Sequence, residues 1–476
     1  MFHPSTNANM TDNKENNTTF HVKHLFFGSN KPFWPENVKQ YLRNTALHEM
    51  LFYIFVFLIP IQTRILYLPE KAYINWYFSY HLGFFFYLTD IIFIALIVSW
   101  FLAEKPSFNL KLRINRLILA LFALILATLF HVKRIDIGVY QSIKWLELLL
   151  LVWYVYSTFH KKHQFHITLF LLYISGVFQA ILGILQFYLQ HSLNLKLLGE
   201  YVAPLGTAGL ATIGVAGTKI IRAYGTFPHP NLLGAFLLFS LISGYFLVSR
   251  GTRFTKWLVG LGMIVLISGI FYTFSRSIWI AAGISSIVFL GYYLRDFLKT
   301  GQSRLTFLIL LSAVVVSCGT LVFTYKDLIV SRATENIQES ALASRKLFNK
   351  NGLTIMSQAP LLGVGVGNYV VVAQDLFDLE PWQYQPAHNV FIFLAAELGV
   401  LGAALFAIIL IELLKNSWQK KNFLTLTLFF TGIIFILLAN FDHYFATIQQ
   451  GRLTFFLLLG LLAATNNLNH DHASPD

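Results

Sequence analysis

The chain has a single cysteine, Cys318, set inside an apolar run, so neither a disulfide framework nor a thiolate metal site can be assembled. Charge is also scarce: Asp, Glu, Lys and Arg make up 12% of the 476 residues, too little to clothe a soluble surface of this size. The formal net charge of +13 would suit nucleic acid, but most of the lysines and arginines fall in short segments between apolar runs. Membrane topology accounts for that distribution better than a nucleic-acid groove does. The N-terminal stretch lacks the short apolar core and small-residue cleavage site of a signal peptide, so the first membrane helix is expected to stay as an uncleaved anchor. No repeat of fixed period is present, and the only biased tract is the Asn/Thr-rich start, expected to be a disordered tail.

What the chain has in abundance is apolar surface: hydrophobic residues are 56% of the total, and 46 residues are Phe. This is the composition of a polytopic membrane protein. Spanning the hydrocarbon takes roughly 20 apolar residues as a helix, and about 12 such runs are expected, at 48–68, 82–103, 114–131, 139–159, 167–190, 231–249, 254–274, 277–294, 305–325, 388–412, 423–440 and 450–465. The expected organisation is a cytoplasmic N-terminal tail (1–47), an all-α polytopic membrane domain (48–465) and a cytoplasmic C-terminal tail (466–476). With the N-terminus inside, the loops that return to the cytoplasm are basic, carrying among others Lys105, Lys111, Lys161, Lys162, Arg250, Arg253, Arg295, Lys299, Lys420 and Lys421. The short outside loops have few cations, and this positive-inside bias sets the orientation. Two outside segments, 191–230 and 326–387, are too long to be mere connections. The second precedes the tenth run and is expected to hold an amphipathic helix around Ser340 to Met356.

The stretch Pro386-Ala387-His388-Asn389 opens the tenth run. Pro386 suits a first helical position, which would place His388 in the first turn, where the helix dipole disfavours a protonated imidazole and favours a nearby anion. A histidine at a bilayer boundary can also be an ordinary interfacial polar group. After His388-Asn389, nine residues lead to Gly399, and two more to Gly402. This spacing resembles the His-(Asn/Ser/Gln)-x9-Gly-x-x-(Gly/Thr/Tyr) pattern of the bacterial O-antigen ligase and polymerase family. The hairpin Thr273-Phe274-Ser275-Arg276-Ser277 is similar to a Ser-Arg hairpin of O-antigen ligases, and Arg222 and Arg345 resemble family positions less tightly. Taken alone, Arg276 could equally snorkel to phospholipid headgroups, and Arg345, beside Lys346, could belong to a solvated face.

The resemblance implies a C-type-like integral membrane glycosyltransferase of the bacterial cytoplasmic membrane, with its family core at about 205–410 and its site outside the cytoplasm. The donor would be a glycan on undecaprenyl diphosphate, and the acceptor lipid A-core or a similar glycan or lipid. The alternative within the family is an O-antigen or exopolysaccharide polymerase. In this reading His388 takes the acceptor proton, while Arg276, Arg345 and Arg222 hold the diphosphate, with Asn389 and His443 as accessory candidates. No cofactor, metal or nucleic acid is implied. An acidic patch, Asp375, Asp378 and Glu380, is the competing place for a metal. Gly363, Gly365 and Gly367 have no preceding strand or βαβ unit and are read as tight turns, not as a nucleotide loop. His160, His163 and His166 are read as a solvated cytoplasmic loop. Asp90 and Glu147 lie within membrane runs, either as groups of a transporter or lipid-linked glycan flippase or as ion-pair partners of Lys144 or Arg64.

Overall fold

The computed structural model describes residues 45–200, 210–215, 218–334 and 337–468, so nearly all of both expected tails lies outside the described residues. The described chain is all-α apart from three two-stranded ribbons. Helices occupy the expected apolar runs: α1 (Leu47–Leu58), α2 (Leu88–Glu104), α3 (Arg113–Thr128), α4 (Ile135–Thr158), α5 (Lys162–Leu189), α6 (Pro230–Leu247), α7 (Arg253–Tyr272), α8 (Arg276–Thr300) and α9 (Arg304–Thr334). They are followed by α10 (Ile337–Gln358), α11 (Tyr369–Leu376), α12 (Val390–Lys420), α13 (Phe423–Leu438), the single turn α14 (Tyr444–Thr447) and α15 (Gln449–Ala464). Six of them, α5 to α9 and α12, are long and apolar enough to cross a membrane.

The first run departs from expectation. Only Leu47–Leu58 is helical, and the chain then turns at Ile59-Pro60 into β1 (Arg64–Tyr67). β1 pairs antiparallel with β4 (Phe84–Tyr87), and between them β2 (Tyr73–Ile74) pairs with β3 (Tyr77–Phe78). Pro60 cannot donate an amide within a helix, and the aromatic, β-branched sequence that follows suits a ribbon. The other ribbon pairs β5 (Thr212–Val215) with β6 (Thr218–Ile221).

At the centre stands α6, buried on all sides among α5, α7, α8, α13 and α15. Between helices in a lipid solvent, close van der Waals packing and small residues provide the adhesion. Accordingly, a Cβ added at Gly176 of α5 would lie 2.2 Å from the Ser240 hydroxyl of α6. The connections at one end of the bundle bind one another: Lys71 pairs with Asp136 at 3.1 Å, Lys133 with Asp375 at 2.5 Å, and Ser331 donates to the Gly214 carbonyl at 2.7 Å. The opposite end is tied by Arg113 to Glu412 at 3.3 Å, His48 to Glu104 at 3.2 Å and Ser417 to the Thr425 carbonyl at 2.9 Å.

Within α12 the helix is broken at Gly399, whose φ of 68° and ψ of 178° are open essentially only to glycine. The glycine-rich loop before α11 enters this break. Val364 and Gly365 donate to the carbonyls of Ala396 and Glu397, each at 2.9 Å, and Val400 donates to the Pro360 carbonyl at 2.8 Å. These bonds pair amide and carbonyl groups that the helix break and the loop would otherwise leave unpaired. Gly363, Gly365 and Gly367 all have positive φ, as tight turning requires.

Asp90 and Glu147 are buried with each other. Lys144 Nζ lies 2.5 Å from Asp90 and 3.4 Å from Glu147, and Gln449 donates to both carboxylates. Of the two readings of these carboxylates, the structure shows the ion pair, with Lys144 as the cation. His163 and His166 also depart from expectation. Both lie on α5 rather than in a loop, and His166 is buried with its ring 5.3 Å from that of Phe246, because α5 begins at Lys162.

Candidate active site

A cavity of about 820 Å3 opens at the bundle end where the connections before α6 and α12 meet. Arg222, Arg276, Arg345, His388 and His443 all line it, together with Asp442, His229, Asn231, His81 and Arg64. Several chain segments, far apart in sequence, deliver these groups.

Arg222 follows β6 and is held by its neighbours. Its Nε donates to the Thr273 carbonyl at 2.5 Å and its guanidinium to the Asn231 Oδ1 at 2.8 Å, while the next amide, Ala223, donates to the Tyr272 carbonyl. Arg276 is the first residue of α8, placed there by a tight turn in which buried Phe274 takes φ of 48°, an uncommon conformation for a bulky residue. His229 caps α6, its Nδ1 accepting from the Asn231 amide at 3.1 Å, and Pro230 opens the helix. The N-termini of α6 and α8 therefore face the cavity beside the arginines, a combination that favours a bound anion.

His388 is not in the first turn of α12. Asn389 is the cap, accepting from the amides of Phe391 at 2.9 Å and Ile392 at 3.1 Å, and the helix begins at Val390. Asparagine competes well for that position, and it uses the amides that were expected to face a ligand at His388. Asn389 thus serves the helix and does not line the cavity. His388 stacks on Phe348 of α10, ring centroids 5.3 Å apart, and meets His443 edge-on at 4.9 Å.

Asp442 was not singled out by the sequence, and it organises the centre. Its Oδ1 lies 3.5 Å from His388 Nδ1 and accepts from the His443 amide at 2.9 Å, and its Oδ2 accepts from Asn231 at 3.2 Å. The contact with His388 is an electrostatic pairing rather than a hydrogen bond, because Nδ1 makes none. Burial alone would raise the Asp442 carboxyl, but His388, His443, His229 and Arg345 around it outweigh burial and hold it near 2. Burial lowers the His388 imidazole below the usual histidine value, opposed by Asp442 and reinforced by Arg345. His443 is driven far down by burial and by His388, and His229 and His81 are each lowered to about 4, mainly by burial. At neutral pH the site therefore holds neutral imidazoles, one carboxylate and several arginines.

One ligand atom each from His388, Asp442 and His443 lie within 4.8 Å of one another, a composition that could also take a divalent ion. The acidic patch weighed from the sequence lies elsewhere. Asp375, Asp378 and Glu380 are exposed, none lines the cavity, and Asp375 is paired with Lys133.

Asp442, His229 and His81 were the site residues that sequence reasoning passed over. For Asp442 the signal was its adjacency to His443 in the connection after α13; for His229 it was the His-Pro-Asn start of α6; His81 had none. Residues 261–407 match the O-antigen ligase family. No curated protein matches the chain.

Proposed function

We propose that this chain, a member of the O-antigen ligase family through its 261–407 region, is a glycosyltransferase of the bacterial cytoplasmic membrane. It moves a glycan from undecaprenyl diphosphate to a hydroxyl of lipid A-core or a similar acceptor, at the outer face. The observation that carries this reading is the convergence of Arg222, Arg276 and Arg345 with a neutral, half-buried His388 in one cavity. Guanidinium groups bind diphosphate oxygens in a fork and stabilise the charge that grows on them as the bond to the sugar breaks. His388 accepts the acceptor's hydroxyl proton while the acceptor oxygen bonds to the anomeric carbon. The pair of electrons in the broken carbon–oxygen bond leaves with the lipid diphosphate. Asp442 steadies the imidazolium that forms. The diphosphate is already an activated leaving group, so this mechanism draws on neither nucleotide nor metal.

The test is transfer by purified protein from a lipid-linked glycan to acceptor, with donor binding measured on the same preparation. His388→Ala is expected to bind donor normally while transfer falls by about two to four orders of magnitude. His388→Asn should fail equally, since an amide cannot take the proton at neutral pH. Transfer is expected to persist in chelator. Activity lost in chelator and restored by one divalent ion would assign His388, Asp442 and His443 to a metal instead, and normal turnover by His388→Asn would remove the base.

A further inference from the structure

Traced through its contacts, the cavity runs from Arg222 through Asn231 and Asp442 to the His388–His443 pair, and from His443 to His81, whose ring centroid is 5.5 Å away. From His81 the ring contacts continue to Tyr80 at 6.2 Å, where the lining is mainly aromatic and Arg64 lies over the Tyr80 ring. The β2–β3 hairpin, turned at Asn75 with φ of 53°, contributes Tyr73, Trp76, Tyr77 and Phe78 to the lining. Trp76 is 67% exposed and Tyr73 48%. Trp382, 46% exposed on the 3-10 turn Pro381–Gln383 shortly before His388, sets its ring 6.0 Å from that of Trp76 at 49°. Trp76 lines the cavity and Trp382 reaches it through Trp76; large rings left in the open beside a polar cavity forgo the burial that would stabilise them. Two such rings, brought together from segments remote in sequence, form a surface shaped for an amphipathic partner.

Resting on the glycosyl transfer proposed above, we infer that Trp76 and Trp382, with Tyr73, form a subsite for a pyranose ring of the acceptor saccharide. A sugar offers an apolar face of C–H bonds to a ring and hydroxyls to the polar atoms around it, which is what amphipathic aromatics accommodate. The assignment to acceptor rather than donor follows from the order of groups. In the single in-line displacement proposed above, the leaving diphosphate and the incoming hydroxyl lie on opposite sides of the anomeric carbon. The arginines hold the diphosphate and His388 meets the hydroxyl, so the acceptor extends from His388 away from Arg222, past His81, onto this wall.

The experiment uses the full chain in nanodiscs, with a lipid-linked glycan as donor and, as acceptor probe, the lipid-free core oligosaccharide of the native lipopolysaccharide. Trp76→Ala and Trp382→Ala are each expected to raise the acceptor KM about tenfold, with donor KM and kcat little changed. Trp76→Phe and Trp382→Phe, which keep a ring, should retain most of the affinity. Calorimetric titration of the oligosaccharide without donor should show the same ranking. An unchanged acceptor KM, or a rise in donor KM instead, overturns the subsite, as does loss of membrane insertion with KM unchanged, which would make these rings an interfacial belt. Oligosaccharide binding that depends on the two tryptophans, without any transfer by the wild type, would uphold the subsite and overturn the transferase reading. Normal transfer, indifferent to both rings, would do the reverse, and neither binding nor transfer would overturn both.

Discussion

To act as the proposed base His388 must be neutral, and burial favours that form by lowering its pKa below the usual histidine value of about 6.5. As pH rises through that lowered pKa the base form accumulates, so kcat/KM is expected to climb on an acid limb centred below pH 6.5. Asp442 favours the imidazolium, so Asp442→Asn should move the limb to still lower pH while reducing kcat, a displacement that loss of packing alone would not produce. A limb that stays in place in that variant would count against the pairing. Arg276→Lys keeps a charge at the start of α8 but not the planar fork, and transfer is expected to drop by about tenfold or more. Wild-type turnover by that variant would return Arg276 to a headgroup contact. At this scale, the residues legible in the sequence were those with a motif or a suggestive position: His388 by its spacing to Gly399 and Gly402, and Arg276 by its hairpin. His81 was not, because a single His in a connection has no spacing to read; Asp442 offered only its adjacency to His443, and the partners that give either residue its chemistry arrive only through tertiary folding.

At the scale of elements, hydropathy located most of the helices because a lipid-facing backbone must satisfy its own polar groups. It could not reveal the break in α12, since irregular backbone survives at such a place only when another part of the protein supplies the missing bonds. Here the 360–367 loop does so. Gly399, read from the sequence only as part of a motif, therefore has a structural task. It admits the loop that leads through α11 to His388. A Cβ at Gly399 would sit 2.0 Å from the Leu361 carbonyl oxygen, whereas one at Gly283 on α8 would meet nothing within 4 Å. Backbone strain of the kind Gly399→Ala would impose costs about 1–3 kcal/mol before the clash is added. Gly399→Ala is thus expected to lower the melting temperature clearly and to abolish transfer, while Gly283→Ala melts and turns over as wild type. Equal melting of the two variants would mean that the loop docks without the break.

At the scale of the whole molecule, the direction of the chain decides whether the cavity can meet a lipid-linked glycan outside the cytoplasm. The connections that carry Lys161 and Lys421 are separated by helices from the end where Arg222, Arg276 and His388 converge. They are among the basic connections assigned to the cytoplasm. The expected scheme assigns the first apolar run one crossing; its helix stops at Leu58, shorter than a full span, and the ribbon that follows returns the chain to α2 at the cavity end. Ser357, exposed near the end of α10, and Lys161, exposed at the start of α5, report on the two ends. In a Cys318→Ser background, Ser357→Cys is expected to react with a membrane-impermeant maleimide on intact cells, and Lys161→Cys only after the membrane is permeabilised. The opposite pattern would put the arginines and His388 in the cytoplasm. The positive-inside orientation and the outer-face transfer would then fall together, while the geometry of the cavity itself would stand.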